Sequence, residues 1–392
     1  MIYFDNSASA SIDPDVLNSA MPYLTSNFHN PSSLYSKGRD AKKAIEQARE
    51  KASKAINCLP EEIFFLPSAT EANNWAIRTL YDYTGDVGVL YASSIEHPSI
   101  RNSIEHYINY YYDKAYCEIP ITKDGILDCC SKPYLSLIEW ERSPNNALVT
   151  MLVSNEIGTI QPIDIISEDC YKAQTPLFVD MTQGASKLKI DLQKWRGIIM
   201  ATIAGHKIHS MRGAAILFVR KEFQSELPPC NYGGGQERGF VSGTENTPAI
   251  VALGNAMEKF VEHPMDDTQI REMKNYLIKG ISEIPNVHFN GDLDYQIPHI
   301  LNVSFAGIES EALQLLLDSK GIMVSSGSAC HSGSLEPSYV LKSIGTEEKY
   351  LNSAIRISLS HENTMEECEK FIKILKEEVA KLRSISPVWK EE

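Results

Sequence analysis

Lys207 follows directly on an apolar run, Ile198 to Ile203, with only Ala204-Gly205-His206 between. A lysine held at the lip of an apolar strand can lose its proton and attack a carbonyl to form a Schiff base. Gly205 lets the backbone turn there, and His206 adds a second donor. Upstream, Leu177-Phe178-Val179 reads as a short strand closed by the carboxylate of Asp180. Pyridoxal phosphate needs both groups, because its ring nitrogen must stay protonated to draw electrons and a paired carboxylate raises that nitrogen's pKa. Taken singly, Lys207 fits a strand-end lysine reaching solvent, and Asp180 fits an N-cap. The rest of the chain must decide between these readings.

The elements that would position these residues alternate. Ile63 to Leu66 reads as a strand, and Pro67-Ser68-Ala69-Thr70-Glu71 opens a helix with the Ser-x-x-Glu pattern of a capping box. Free amides and the positive end of the helix dipole leave that turn beside two hydroxyls, which suits a phosphate. Further strands are expected at Val87 to Tyr91, Ala147 to Val153, Leu177 to Val179, Ile198 to Ile203 and Ala214 to Val219, and a packing helix from Ala41 to Ile56. This order predicts an α/β fold, a mostly parallel sheet covered by helices. The strand ends collect Glu96-His97, Asn155-Glu156, Asp180 with Gln183, and Lys207, at the edge where open sheets bind ligands. Beyond residue 257 the texture changes to helices and short strands, ending in a helix from Thr364 capped by Glu367. We expect a large domain over 15–257 and a smaller α+β domain from 1–14 plus 258–392. The runs from Gly233 to Gly239 and from Ser325 to Gly333 are too rich in Gly and Ser to suggest regular structure.

With 392 residues, 43% of them hydrophobic, the chain can bury a sizeable core. A formal net charge of -14 argues against a standing nucleic-acid partner. No basic start leads into an apolar stretch and no run is long enough to span a bilayer, so a cytoplasmic protein is expected. The eight cysteines show no C-x-x-C spacing, and no metal site is read from them or from His206 and His209. The vicinal Cys129-Cys130 is expected to be structural in a reducing compartment.

The ordered set Phe4-Asp5-Asn6, Asn30-Pro31-Ser32-Ser33, Ala69-Thr70-Glu71, Glu96-His97, Asn155-Glu156-Ile157-Gly158, Asp180 with Gln183, Gly205-His206-Lys207, Gly243-Thr244-Glu245-Asn246, Ser326-Gly327-Ser328-Ala329-Cys330 and Arg356 resembles the cysteine desulfurases of the long-loop, NifS/IscS-like group. These are class V aminotransferase-family enzymes of fold type I that use pyridoxal 5'-phosphate. The resemblance implies that Lys207 holds the cofactor covalently, Asp180 pairs with the ring nitrogen, His97 stacks on the ring, and Asn155 and Gln183 bond the ring hydroxyl. It implies that Ala69 and Thr70, His206 and, from the partner subunit of a homodimer, Thr244 take the phosphate, and that Arg356, with Asn155, takes the substrate. Cys330 would receive sulfur from L-cysteine as a persulfide and pass it to an acceptor protein, an iron-sulfur scaffold or a tRNA thiolation enzyme. Ala204, Val241, Tyr35 and Ser210-Met211-Arg212 depart from the pattern, where serine, arginine, histidine and Gly-Pro-Lys are usual. A selenocysteine lyase, a small-amino-acid transaminase and a non-catalytic scaffold binding sulfur carriers are the alternatives.

Overall fold

A computed structural model describes residues 1–110, 115–128, 145–262, 264, 267–326 and 336–389. In chain order its strands are β1 (Ile2–Tyr3), β2 (Ile63–Leu66), β3 (Val89–Ser93), β4 (Ala115–Ile119), β5 (Ala147–Met151), β6 (Leu177–Asp180), β7 (Ile198–Ala204), β8 (Ala215–Val219), β9 (Val287–Phe289), β10 (Ile300–Phe305), β11 (Ile322–Met323), β12 (Ser325–Ser326) and β13 (Ala354–Ser358).

The larger sheet runs β2-β8-β7-β6-β5-β3-β4. From β7 to β4 every pairing is parallel. Only β8 runs against its neighbours, β7 and β2. The cause is local: residues 205–214 are too short a link for a parallel crossover, so β7 and β8 form a hairpin, and Lys207 rides on its connection. Strands β2, β5, β6 and β8 are buried throughout, as continuous apolar runs in a sheet covered on both faces must be. Alternate side chains go to opposite faces. Phe64 and Leu66 meet Trp75 and Leu80 of the helix Ala69–Thr84, whereas Ile63 and Phe65 join the layer holding Ile45, Ala48 and Leu253 from the helices Ser36–Ala55 and Thr247–Ala256. Burying a side chain such as Phe178 contributes roughly 1.5–3 kcal/mol, and Phe178→Ala would cost about 3–5 kcal/mol once the cavity is counted.

A second sheet, β12-β13-β10-β9, is wholly antiparallel. It packs its apolar residues on the helices Thr268–Ile281, Ser310–Ser319 and Met365–Ile385. The last of these starts in the expected reciprocal cap between Thr364 and Glu367. The helix at Ala69 is capped from one side only, Ser68 accepting from the Glu71 N–H at 3.2 Å. The run from Gly233 to Gly239 is irregular as expected, with Glu237, Arg238 and Gly239 all at positive φ, and the Glu237 carboxylate is tied to the buried guanidinium of Arg49 at 2.7 Å. The expectation for the run from Ser325 is corrected at its start alone, where Ser325 and Ser326 pair with Arg356 and Ile355 because β13 offers an open edge; residues 327–333 lie outside the described residues. The N-terminal segment joins the two sheets. β1 pairs with β11, Asp5 bridges to Ser358, and residues 6–10 then cross to the end of β7.

Candidate active site

Four parallel strands end at one place. Past their C-terminal ends lie His97 (after β3), Asn155 (after β5), Asp180 (the last residue of β6) and His206-Lys207 (after β7), around a cavity of about 260 Å³. Ala69, Thr70, Gln183 and Arg356 line the same cavity, so nine residues singled out in the sequence meet there. Thr244 instead lines a separate cavity of about 300 Å³ together with Val241 and Glu245, and Cys330 lies outside the described residues.

The turn after β7 is tight. A Cβ on Gly205 would stand 2.8 Å from the Ala214 carbonyl oxygen, so glycine is needed there for close approach rather than for an unusual φ. Lys207 Nζ donates to the carbonyls of Ser7 and Ala8, the latter at 2.9 Å. Asp180 accepts from Asn73 Nδ2 at 3.0 Å and from the Thr182 N–H at 2.9 Å, which fixes its carboxylate at the floor of the cavity. Asn73 also donates to Ser99 Oγ (2.8 Å), and Ser99 Oγ lies 2.8 Å from His97 Nδ1, so one chain of hydrogen bonds orients both Asp180 and His97. Burial holds the His97 imidazole below its ordinary pKa, with Lys207 adding to that effect and Asp180 opposing it. Burial, aided by Lys207 and Arg212, takes His206 down to about 4, so its ring is neutral at pH 7. Glu96 is buried beside Asp180 and pushed up to about 8, chiefly by desolvation, which makes it a neutral carboxylic acid near neutrality.

Arg356 enters from the middle of β13, almost fully buried. Its guanidinium donates to Asp5 Oδ1 at 2.9 Å and to the Asn155 carbonyl at 2.8 Å, while Nε is buried without a partner. A planar guanidinium with unused donors suits a carboxylate better than an ammonium does. Asn73, Thr182, Asp5 and the carbonyls of Ser7 and Ala8 were not foreseen as site groups. Asn73 lies one helical turn beyond Ala69 and was within reach of the helix spacing; the others depend on contacts between distant segments.

The class-V aminotransferase family profile matches residues 2–371. This chain belongs to the class-V aminotransferase family. It is 37% identical to the cysteine desulfurase IscS of Methylobacillus flagellatus over 99% of this chain and 94% of that one. Its fold matches a NifS-like protein at a TM-score of 0.87 and 30% identity, covering 97% and 99% of the two chains. It also matches SspA in complex with cysteine at a TM-score of 0.78 and 31% identity, covering 92% and 99%.

Class-V desulfurases use pyridoxal phosphate, and the cavity suits that group. Asn73 Oδ1, Asn155 Oδ1, Thr182 Oγ1, Gln183 Oε1 and Arg356 Nε are all buried without partners, and all belong to residues lining this one cavity. Native interiors leave few such atoms unpaired, so five around a single cavity call for a polar ligand. The capped N-terminus at Ser68-Ala69-Thr70 offers amides to a phosphate, and Asp180 offers an acceptor to a ring nitrogen. Ala204 lines the cavity without a hydroxyl, so the family's usual serine contact is missing.

Proposed function

We propose that this chain is a pyridoxal-phosphate-dependent cysteine desulfurase that converts L-cysteine to L-alanine and carries the sulfur as a persulfide on Cys330. The observation that supports the assignment best is the clustering of Lys207, Asp180, His97, Asn155, Gln183 and Arg356 on one cavity whose buried polar atoms lack partners. When bound, the cofactor supplies an electron sink for the substrate's Cα bonds. Lys207 holds it and moves the proton at Cα. Asp180, fixed by Asn73 and the Thr182 N–H, keeps the ring nitrogen protonated, and His97 packs on the ring. Asn155 and Gln183 take the ring hydroxyl, while Ala69, Thr70 and His206 take the phosphate. The neutral ring of His206 serves there as a donor rather than a counter-charge. Arg356 orients the substrate carboxylate beside Asp5. The Cys330 thiolate attacks the substrate sulfur; the carbon-sulfur bond breaks, the sulfur stays on Cys330, and the carbon skeleton leaves as alanine after gaining a proton.

The remaining parts of the reading are also ours. Residues 15–257 form the large cofactor-binding domain, and 1–14 with 258–392 form the small domain that carries Cys330. The enzyme works as a cytoplasmic homodimer in which Thr244 completes the partner's phosphate site; its position in a separate cavity, away from Lys207 of the same chain, supports this. A sulfur-acceptor protein, an iron-sulfur scaffold or a tRNA thiolation enzyme, takes the sulfur. Among the described residues no helix is long and apolar enough to cross a membrane. The test is to incubate purified protein with cysteine and a reductant and assay alanine and sulfide together. Equal amounts are expected. Cys330→Ala should keep its visible absorption and its spectral response to cysteine while releasing almost no sulfide, and full sulfide release from that variant would defeat the assignment.

A further inference from the structure

His97 immediately precedes the helix Pro98–Tyr110, and its carbonyl accepts from the N–H groups of Ile100 and Arg101 at 2.8 and 3.1 Å. Its ring closes the same turn. The Ser99 N–H, one of the donors that a helix start leaves without an intrahelical acceptor, donates to His97 Nδ1 at 3.2 Å. A peptide N–H can only donate, so Nδ1 must offer its lone pair and the neutral ring carries its proton on Nε2. The Ser99 hydroxyl leads to the same assignment through a chain of forced choices. Asp180 as a carboxylate only accepts, so the atom of Asn73 that faces it at 3.0 Å is the amide nitrogen. That nitrogen's second hydrogen goes to Ser99 Oγ at 2.8 Å, where it occupies a lone pair. The hydroxyl proton is left for His97 Nδ1, 2.8 Å away. Protonating Nδ1 would set one N–H against another, at the positive end of a helix dipole.

We propose that Ser99 is a positioning residue that, together with Asn73, fixes His97 as the Nε2–H tautomer and keeps its ring uncharged. The purpose of this device rests on the pyridoxal phosphate reading. His97 packs on a cofactor ring whose nitrogen Asp180 keeps protonated, and an imidazolium there would set a second cation against the first. Asn73 joins the two requirements, since the hydrogens of one amide nitrogen serve both the carboxylate and the hydroxyl. The other charged or titratable groups on the cavity are Asp180, His206, Lys207 and Arg356, and Glu96, buried beside Asp180, precedes His97 in the chain. Burial is the main cause that holds the His97 ring below its ordinary pKa, with Lys207 acting in the same direction and Asp180 against it. The hydrogen-bond chain adds what neither burial nor these charges supply, because it tells the two ring nitrogens apart.

Cofactor-loaded protein with isotopically labelled histidine nitrogens reads the tautomer directly in two-bond nitrogen–proton correlation spectra, with the His97 signals assigned by their loss in His97→Gln. The wild type should show a bare Nδ1 and a protonated Nε2. Ser99→Ala removes the hydroxyl and keeps the peptide N–H, so a fraction of the proton should appear on Nδ1 and the ring should titrate at higher pH than in the wild type. Ser99→Thr restores the hydroxyl and should return both readings towards the wild type. A wild-type ring with its proton on Nδ1 overturns the proposal, as does a Ser99→Ala spectrum and titration that match the wild type. The expected spectra from a protein that makes no alanine from cysteine would support the assignment of Ser99 and count against the desulfurase reading alone.

Discussion

The two sheets deliver their polar side chains to the cavity in opposite ways. The seven-stranded sheet does so from strand ends: Asp180 closes β6 and Lys207 follows β7, where the backbone has left the ladder and the cavity is open. The four-stranded sheet delivers Arg356 from mid-strand, between Asn302 of β10 and Ser325 of β12, with Asp5 and the Asn155 carbonyl already on its guanidinium. A strand-end group needs only a turn to aim it. A buried mid-strand cation needs a standing counter-charge, and here an N-terminal carboxylate supplies it. Chemistry at the cofactor should therefore depend on the first sheet, and grip on the substrate on the second.

Substitutions can break or sharpen that division. The largest effect belongs to Lys207→Ala, which should remove the visible absorption of the bound cofactor and lower kcat by about a thousandfold or more; retained colour and turnover would refute its role. Asp180→Asn should keep the colour but cut kcat by about a hundredfold, because the amide cannot hold the ring nitrogen protonated. Arg356→Lys should act mainly on KM for cysteine, raising it about ten- to a hundredfold through the loss of about 1.5–3 kcal/mol of charge-assisted hydrogen bonding, with kcat within a few-fold. A fall in kcat as large as that of Asp180→Asn would erase the distinction between the sheets.

The smallest effect lies at the seam. Glu156, after β5, accepts from Ser338 Oγ at 2.6 Å, and its own carbonyl accepts from Asn302 Nδ2 at 3.1 Å, so it joins the large sheet to elements of the second. Burial raises its carboxyl to about 7 from an ordinary value near 4.5. Between those values the folded protein holds a proton that the unfolded chain has lost, so this group's contribution to stability falls as pH rises, by about 1.4 kcal/mol per pH unit. Glu156→Gln should therefore gain on the wild type as pH increases across that window, measured as the difference between their urea midpoints. A constant difference would show that Glu156 does not titrate there.

Six of the seven strands of the larger sheet were legible because their signals are local; β4, Ala115–Ile119, was not, since Ile119 alone in it is buried. The runs Ile63–Leu66, Leu177–Asp180 and Ile198–Ala204 are largely apolar because both faces are covered, and polar residues close or follow them, Ser68, Asp180 and His206-Lys207, where the chain meets the cavity. The reversal of β8 was not foreseen, since an apolar run carries no direction; only the length of the link to β7 does. The second sheet was less legible. Ser325 and Ser326 have neither apolar character nor alternation, and they become a strand because the edge of β13 is there to pair with. Arg356 could be found by resemblance, but its bond to Asp5 joins the two ends of the chain, and no window of sequence contains both.

The crossing of residues 5–10 has a consequence for when the protein becomes competent during its making. Asp5 meets Arg356 across 351 positions, Asn6 meets Ser358 across 352, and Ser7 meets Lys207 across 200. Contacts of such span close late, because the entropy of joining distant segments must be met before they contribute. A nascent chain can have the whole seven-stranded sheet on hand and still lack Arg356 and Ser358, the residues to which Asp5 and Asn6 are tied. Cofactor capture is then a late event in maturation, and the colour of a preparation reads out the fraction of molecules in which the earliest-synthesised residues have found some of the last.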